Sequence, residues 1–155
     1  MTGIPSQALQ NVMKLSETEK AYLAGLFDGE GCVGYYSRGV SKEVQYHSAS
    51  LHIAMTDPKA ITWLMDKLSV GKVSIIAHSG RRKTVYSWQV CRKAHVREIL
   101  ELIRPYLLTK ADQVELLLKL LAMEDAVSGG HGSLTPTVLA FRQHVTNELK
   151  RLKTA

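Results

Sequence analysis

The clearest structural signal in the chain is a helix that ends abruptly at a pair of glycines. Ser16-Glu17-Thr18-Glu19 has the form of a capping box, so a helix is expected to begin there with Ser16 as its N-cap. Residues 23–31, LAGLFDGEG, continue the helix with apolar and small side chains and then place an acid between two glycines. Because glycine tolerates the backbone angles of a sharp helix exit, the chain is expected to turn directly into a strand.

Two pairs of strands, each with one apolar and one polar face, are predicted after this helix. The alternation is brief over residues 33–36, where Ser37-Arg38-Gly39 interrupts it, and regular over residues 46–55. A second pair covers residues 72–78 and 85–90, joined by a turn that carries three consecutive basic residues. Alternation with a period of two is typical of strands that bury one face only.

Helices are predicted between and after the strand pairs. Asp57-Pro58 has the form of an N-cap followed by proline in the first turn, and it predicts a helix over residues 59–68. Further helices are expected over residues 95–107, 110–126 and 137–152. The order α-β-β-α-β-β-α, followed by helices, predicts an α+β fold with an antiparallel sheet that helices cover on one face only.

Length and composition fit one globular domain. With 155 residues, of which 45% are hydrophobic and 22% charged, the chain can bury a sizeable core. We expect a single domain over residues 1–155, with a core at about 16–125 and C-terminal helices at about 126–155. No apolar run is long enough for a membrane span, and the N-terminus lacks the pattern of a secretory or transit signal. An intracellular protein is expected, in the cytoplasm of a prokaryote or encoded within a mitochondrion or chloroplast.

The cysteines, histidines and net charge narrow the class of function. Cys32 and Cys91 form no CxxC pair and the histidines show no zinc-site spacing, so neither a zinc enzyme nor a disulfide framework is predicted. The net charge of +6 favours an acidic partner, most often nucleic acid. A polar sheet face with basic turns fits the DNA major groove, which accepts a two-stranded ribbon, although an ordinary solvated face would show the same pattern.

Residues 23–31 resemble the signature that gives the LAGLIDADG homing endonucleases their name. Every position of the signature matches in character, with Glu30 in place of its second Asp, and the resemblance extends over about residues 16–125. It implies the αββαββα homing-endonuclease fold with a saddle-shaped sheet. It also implies a site-specific endonuclease that works as a homodimer, cleaves a long pseudo-palindromic target in double-stranded DNA and leaves 3′ overhangs.

The resemblance assigns a metal to the end of the first helix. Glu30 is implied to be the metal-binding carboxylate and the Gly29 carbonyl oxygen a further ligand for Mg²⁺, or for another divalent cation such as Mn²⁺. A helix C-terminus carries partial negative charge, so a carboxylate added there favours a cation. In a two-fold dimer each acid would serve one DNA strand. The contact between the two helices is expected to involve Leu23, Ala24, Gly25, Phe27 and Asp28.

Other positions carry implied catalytic roles. The family places a basic residue near the phosphate at the start of a later helix; Lys110 stands there, with Gln113 on the same segment. A Lys in the first turn opposes the helix dipole, which favours a functional role over a solvated Lys beside Asp112. Asp57 stands where the family often has an amide that positions water, so it either takes that role or only caps its helix. Ile61 replaces a basic residue that some members carry.

The polar face of the sheet supplies the implied DNA contacts. Arg pairs with guanine edges and Gln with adenine, whereas the consecutive basic residues of the turn are expected to hold phosphates. The implied DNA-binding residues are Tyr36, Arg38, Tyr46, Ser48, Ser50, His52, Ser74, His78, Arg81, Arg82, Lys83, Ser87 and Gln89.

Two other functions stay open at this point. A protein that keeps the fold but has lost catalysis could bind DNA or RNA as a regulator or an intron maturase, and Asp57 and Ile61 favour this hypothesis. A larger assembly, in which a different subunit completes the site, is the other. The presence of Glu30 and Lys110 favours the homodimeric endonuclease.

Overall fold

Helices and strands follow one another in the predicted order αββαββα, with two further helices after them. The computed structural model describes residues 10, 11, 14–39, 45–127 and 136–154, and of residues 37–39, 45–47 and 127 only the backbone. The elements are α1 (Glu17–Glu30), β1 (Gly31–Gly39), β2 (Gln45–Met55), α2 (Pro58–Leu68), β3 (Lys72–Ile76), β4 (Val85–Val90), α3 (Lys93–Ile103), a 3-10 turn (Arg104–Tyr106), α4 (Ala111–Val127) and α5 (Pro136–Thr154).

The capping box starts α1 as predicted, and glycine ends it. The Ser16 hydroxyl accepts a hydrogen bond from the Glu19 amide (3.2 Å), and the Glu19 carboxylate accepts one from the Ser16 amide (2.9 Å). At the other end Gly31 is extended and leads straight into β1. A Cβ at Gly31 would lie 2.5 Å from the Phe27 carbonyl oxygen and would overlap the Phe27 ring, so only glycine fits this helix exit.

The four strands form one antiparallel sheet in the order β1-β2-β4-β3. β1 runs through residues 37–39, where an interruption was expected, because these residues pair with residues 45–47 of β2. Alternate residues face inward and are buried, among them Val33, Leu51, Ile53, Trp88 and Val90. The residues between them form the opposite side, which we call the outer face.

Helices cover the inner face of the sheet and leave the outer face open, as predicted. Leu23 and Phe27 of α1 belong to the same core cluster as Leu64 of α2 and Leu100 of α3. The indole nitrogen of the buried Trp88 donates a hydrogen bond to the Val70 carbonyl oxygen (2.9 Å), which satisfies the polar atom of this large core residue. Burial of these apolar side chains on one side of the sheet is the main stabilising contribution to the fold.

The later helices lie close to their predicted spans. α4 and α5 cover residues 111–127 and 136–154, against predictions of 110–126 and 137–152. α3 ends at Ile103 rather than near residue 107, because Pro105 lacks an amide hydrogen and the chain passes into the 3-10 turn. Among the helices described, none combines the length and the apolar composition that crossing a bilayer requires.

A buried acid on α4 ties the last two helices to β1. Oε1 of Glu124 accepts hydrogen bonds from the Tyr35 hydroxyl (2.5 Å) and Arg142 Nε (2.8 Å), and Oε2 lies 3.2 Å from Lys93 Nζ. Burial and the contact with the carboxylate raise the pKa of Tyr35. Burial disfavours the charge of Glu124, but the hydrogen bond from Tyr35 and the charges of Arg142 and Lys93 outweigh it and lower its pKa. We call Tyr35, Lys93, Glu124 and Arg142 the Glu124 cluster.

Candidate functional site

Glu30, the last residue of α1, presents an exposed carboxylate at the junction with β1. Because Gly31 pairs with Ile53, this junction lies beside the end of β2. Glu30 lines a shallow recess of about 220 Å³ together with Ala54, Met55, Thr56 and Val85. Within the part of the chain that the structure describes, no basic side chain forms a salt bridge with Glu30. An exposed acid at the negative end of a helix is a suitable place for a cation.

Asp28, two residues before Glu30, binds the segment that carries Lys110. Its carboxylate accepts hydrogen bonds from the amides of Leu108 (2.7 Å) and Lys110 (2.9 Å), and the Lys110 ammonium donates one to the Asp28 carbonyl oxygen. The Lys110 carbonyl oxygen also accepts the first hydrogen bond of α4, from the Val114 amide (3.0 Å). The structure therefore holds the ammonium of Lys110 at the end of α1, although the two segments are distant in sequence.

Gln113 lies in the first turn of α4 and shares a recess of about 260 Å³ with Lys110. Its side chain is largely buried, at 8% exposure, and among the described residues no donor reaches its Oε1 atom. The two residues that were predicted on this segment thus lie together. Gln113 is shielded rather than surface-exposed, so it can act only on a group that enters the recess.

Asp57 acts as the N-cap of α2, one of the two roles that were predicted for it. Its carboxylate accepts a hydrogen bond from the Lys59 amide (2.9 Å) and is exposed. The preceding residue, Thr56, lines the same recess as Glu30, so Asp57 lies at the same end of the sheet. Ile61, one turn further along α2, is buried in the core and presents no polar group to this region.

The exposed face of α1 differs from the predicted contact surface. Leu23, Ala24 and Phe27 are buried in the core of this chain, so their assignment to a contact between two helices was wrong. The exposed positions include Ala21, Tyr22, Gly25 and Gly29. A Cβ built at either glycine meets no atom within 4 Å, which leaves the backbone open to close approach. The prediction took neighbouring signature residues, whereas positions three or four apart share a helix face.

Two serines on the outer face of the sheet are inaccessible. Ser50 and Ser87 are only 3% and 6% exposed, which corrects the prediction that they contact DNA. The Tyr36 ring packs over Gly34 next to Ser50: a Cβ at Gly34 would lie 2.6 Å from the Ser50 hydroxyl and would overlap the ring. The Ser87 hydroxyl is instead hydrogen-bonded to Nε2 of His52 (2.6 Å), which links β4 to β2.

The other residues predicted to contact DNA lie on the outer face or in the turn between β3 and β4. Most are accessible, and two have side chains outside the described part of the structure. Arg38 and Tyr46 pair with each other across β1 and β2, but their side chains are not among those described. Ser48 and His52 are half-buried. The exposed residues are Tyr36, Ser74, His78, Arg81, Arg82, Lys83 and Gln89. A polar surface with a basic turn at one end therefore adjoins the junction that carries Glu30.

Comparison with known proteins settles the family. Residues 17–104, more than half of the chain, match the family model described as a LAGLIDADG-like domain. The chain belongs to the LAGLIDADG family. The match includes the signature at residues 23–31 and the first seven elements of the fold, from α1 to α3. No significant sequence match to a curated protein was found.

Solved structures of LAGLIDADG homing endonucleases share this fold. I-CvuI, in complex with the I-CreI target, is 21% identical with a TM-score of 0.70, and the match covers 88% of this chain and 82% of that one. I-TnaI is 20% identical with a TM-score of 0.65, over 87% and 93% of the two chains. I-SmaMI, bound to an uncleaved DNA target with calcium ions, is 18% identical with a TM-score of 0.69, over 89% and 46%. At these identities the similarity establishes the fold.

This LAGLIDADG chain has no ready-made metal cluster in its described residues: no three His, Cys, Asp or Glu side chains are grouped to hold an ion. The oxygen donors at the end of the signature are the Glu30 carboxylate and backbone carbonyl groups. These hard donors suit Mg²⁺, which takes one or two carboxylates and completes its shell with water and phosphate oxygens. The donor set fits a cation that is shared with nucleic acid.

The contribution of α5 to this region was not predicted from the sequence. Lys153 lies 3.4 Å from Sγ of Cys32, two residues after Glu30, and lines the same recess as Lys110 and Gln113. The basic last turn of α5 was visible in the sequence, but cations are favourable at any helix C-terminus. The pattern alone therefore gave no reason to connect Lys153 with the signature.

Proposed function

We propose that the protein is a site-specific double-strand DNA endonuclease that works as a homodimer with a divalent cation. The observation that carries the proposal is the Glu30 carboxylate, exposed at the end of the LAGLIDADG helix and without a salt bridge in the described structure. Lys110, held at the same helix end, adds the positive charge that a phosphate requires. The DNA complexes of I-CvuI and I-SmaMI, which share the fold, support DNA as the substrate.

In this proposal Glu30 and the Gly29 carbonyl oxygen hold the metal, Mg²⁺ or Mn²⁺. Structures of I-CvuI were determined with Mg and with Ca, which supports the use of a divalent cation. Such a cation supplies Lewis acidity and water activation for phosphodiester hydrolysis. Lys110 stabilises the negative charge that develops on the phosphate, and Asp28 holds Lys110 in position for this task.

Two copies related by a two-fold axis would provide one Glu30 for each DNA strand. The open α1 face at Gly25 and Gly29 allows two α1 helices to pack closely. The chain matches 46% of the longer I-SmaMI chain, so two copies together have a comparable length. A two-fold dimer requires a pseudo-palindromic target, and we propose that its paired cuts leave short 3′ overhangs.

The outer face of the sheet is the proposed DNA-reading surface. Gln89 is exposed on it and can pair with adenine, while Arg81, Arg82 and Lys83 in the turn are suited to phosphates. Because the proposed substrate is DNA, we propose that the protein acts in the cytoplasm of a prokaryote, or in a mitochondrion or chloroplast.

Selection of cleaved sites from a randomised duplex library with Mg²⁺ tests the proposal and yields a target. On that target, Glu30→Gln should slow cleavage by more than about 100-fold, because loss of a partner outside the metal shell already costs 10- to 100-fold. Binding measured with Ca²⁺ should be largely retained. The control is Asp66→Asn, which neutralises an exposed acid on α2 and should cleave like the parent. Cleavage by Glu30→Gln at the parental rate would overturn the site assignment.

A DNA- or RNA-binding protein without catalysis, acting as a regulator or an intron maturase, is the second candidate. It is favoured by the capping role of Asp57 and by the burial of Ile61, which leave α2 with little to offer the reaction. Tight nucleic-acid binding by a parent protein that cleaves nothing in the library would select this function. Sedimentation tests the assembly: a single monomeric species at micromolar concentration would contradict the homodimer and favour a larger assembly with a different subunit.

A further inference from the structure

The recess between α1, α4 and α5 contains two lysines, Lys110 and Lys153. Its polar lining consists of Cys32, Thr109, Lys110, Gln113 and Lys153, and its volume is about 260 Å³. Lys110 donates to the carbonyl oxygen of Asp28, and Lys153 donates to Sγ of Cys32 (3.4 Å). In the described part of the chain neither ammonium forms a salt bridge with a carboxylate. Two positive charges therefore share one recess.

The start of α4 adds to the positive potential of the recess. Val114 is the residue whose amide bonds to the Lys110 carbonyl oxygen, so the amides of the first turn before it have no partner within the helix. α4 is 17 residues long, and the amides at the N-terminus of such a helix favour an anion. The Asp28 carboxylate already binds the Leu108 and Lys110 amides just before this turn. The amides of residues 111–113 are the ones that add to the positive potential of the two lysines.

Gln113 lines the same recess and carries a buried amide oxygen without a donor in the described part of the chain. Its side chain is more than nine-tenths buried, and its Oε1 atom has no donor among the described residues. A buried amide without a partner is unfavourable, and native structures rarely keep one. A half-turn about the last side-chain bond exchanges the oxygen and the NH₂ group without changing the shape of the amide. In that orientation Gln113 can donate a hydrogen bond to an anion.

The recess adjoins the outer face of the sheet. Cys32 pairs with His52, and both lie on this face, so the recess continues the proposed DNA-reading surface at the junction next to Glu30. We infer that Lys153 binds a backbone phosphate of the DNA duplex in this recess, with Gln113 and the start of α4 as further donors. The inference rests on the proposed function. It gives α5 a part in DNA binding that is separate from the chemistry assigned to Glu30.

The test compares Lys153→Gln with Lys150→Gln, a matched control. Both lysines are exposed on α5 and both changes remove one positive charge, but Lys150 does not line the recess. Affinity for a fluorescein-labelled duplex of random sequence is measured by anisotropy with Ca²⁺ at several salt concentrations. Losing one phosphate contact per chain, two per homodimer, should weaken binding by roughly 25- to 100-fold at ~0.1 M salt and lower the log–log salt slope by about 1.8. Lys150→Gln should keep the affinity and slope of the parent.

Equal losses in both variants, or no loss in either, would overturn the inference. The parent separates this failure from failure of the proposed function. If the parent binds and cleaves duplex DNA while Lys153→Gln behaves identically, only the role of the recess is wrong. If the parent binds no duplex, the proposed DNA function and the inferred phosphate site are both wrong.

Discussion

Glu30 and Glu124 are both acids close to β1, and the fold surrounds them in opposite ways. Glu124 is 9% exposed and is contacted by Tyr35, Arg142 and Lys93. Glu30 is exposed, and no cation of the described chain pairs with it. A buried charge is tolerated only when hydrogen bonds and opposite charges replace its water. Glu124 is therefore committed to the fold, whereas Glu30 keeps its charge available for a ligand.

Asp28 stands between these two cases. Its carboxylate is bound within the chain, as that of Glu124 is, but its partners are backbone amides rather than cations. Through them it positions Lys110 beside the residue that is left open. Substitution of Glu124 should therefore affect only stability and substitution of Glu30 only cleavage, whereas substitution of Asp28 should affect both.

The largest effect on stability is expected from Glu124→Gln. The change keeps the shape of the side chain but removes the buried negative charge that Arg142 and Lys93 share, while Lys93 keeps its ion pair with Asp125 (2.8 Å). The free energy of unfolding should therefore fall by about 3 kcal/mol. Urea denaturation measures this loss. Glu148→Gln is the control, because Glu148 forms an exposed pair with Arg151 and its neutralisation should leave the urea midpoint unchanged.

Cleavage by Glu124→Gln distinguishes this acid from Glu30. At a temperature where the variant is folded, its rate per folded molecule should equal that of the parent, the reverse of the result expected for Glu30→Gln. A stable but inactive Glu124→Gln protein would break the contrast between the two acids.

The pH dependence of stability should also reflect the Glu124 cluster. The pKa of Glu124 is lowered from its ordinary value of 4.5, so the charged form is favoured by folding. This contribution is fully present above the unfolded pKa and is lost as the pH falls through the lowered folded pKa. The melting temperature of the parent should therefore fall more steeply below about pH 4.5 than that of Glu124→Gln. Parallel melting curves, followed by circular dichroism, would show that Glu124 carries no such stabilisation.

Much of the fold was predictable because its signals are local. The capping box at Ser16, the pair Asp57-Pro58 and the alternation over β2 each depend on neighbouring residues, and each was confirmed. The extension of β1 through residues 37–39 was not predictable in this way. It depends on pairing with β2, which outweighs the weak strand preference of serine and glycine.

The site residues show the same distinction between local sequence signals and tertiary contacts. Glu30 and Lys110 were identified from the signature and its resemblance, but their meeting through Asp28 is a tertiary contact. No local pattern marks Glu124 as a buried acid, because its partner Tyr35 lies 89 residues away in sequence. The burial of Ser50 likewise follows from the packing of Tyr36, which alternation alone does not reveal.

Asp28→Asn is expected to have a smaller effect on stability than Glu124→Gln and to lower both stability and cleavage. Asparagine keeps one acceptor oxygen but replaces the other with an NH₂ group, so the hydrogen bond from one of the two amides, Leu108 or Lys110, is lost. The free energy of unfolding should fall by about 1 kcal/mol. Lys110 is then held less firmly, and the single-turnover cleavage rate should fall while duplex affinity in Ca²⁺ is retained. Asp112→Asn, which neutralises an exposed acid at the start of α4, should leave the cleavage rate unchanged. If Asp28→Asn lost stability but cleaved at the parental rate, Asp28 would be a purely structural acid like Glu124. The position of Lys110 would then be set by its own backbone rather than by Asp28.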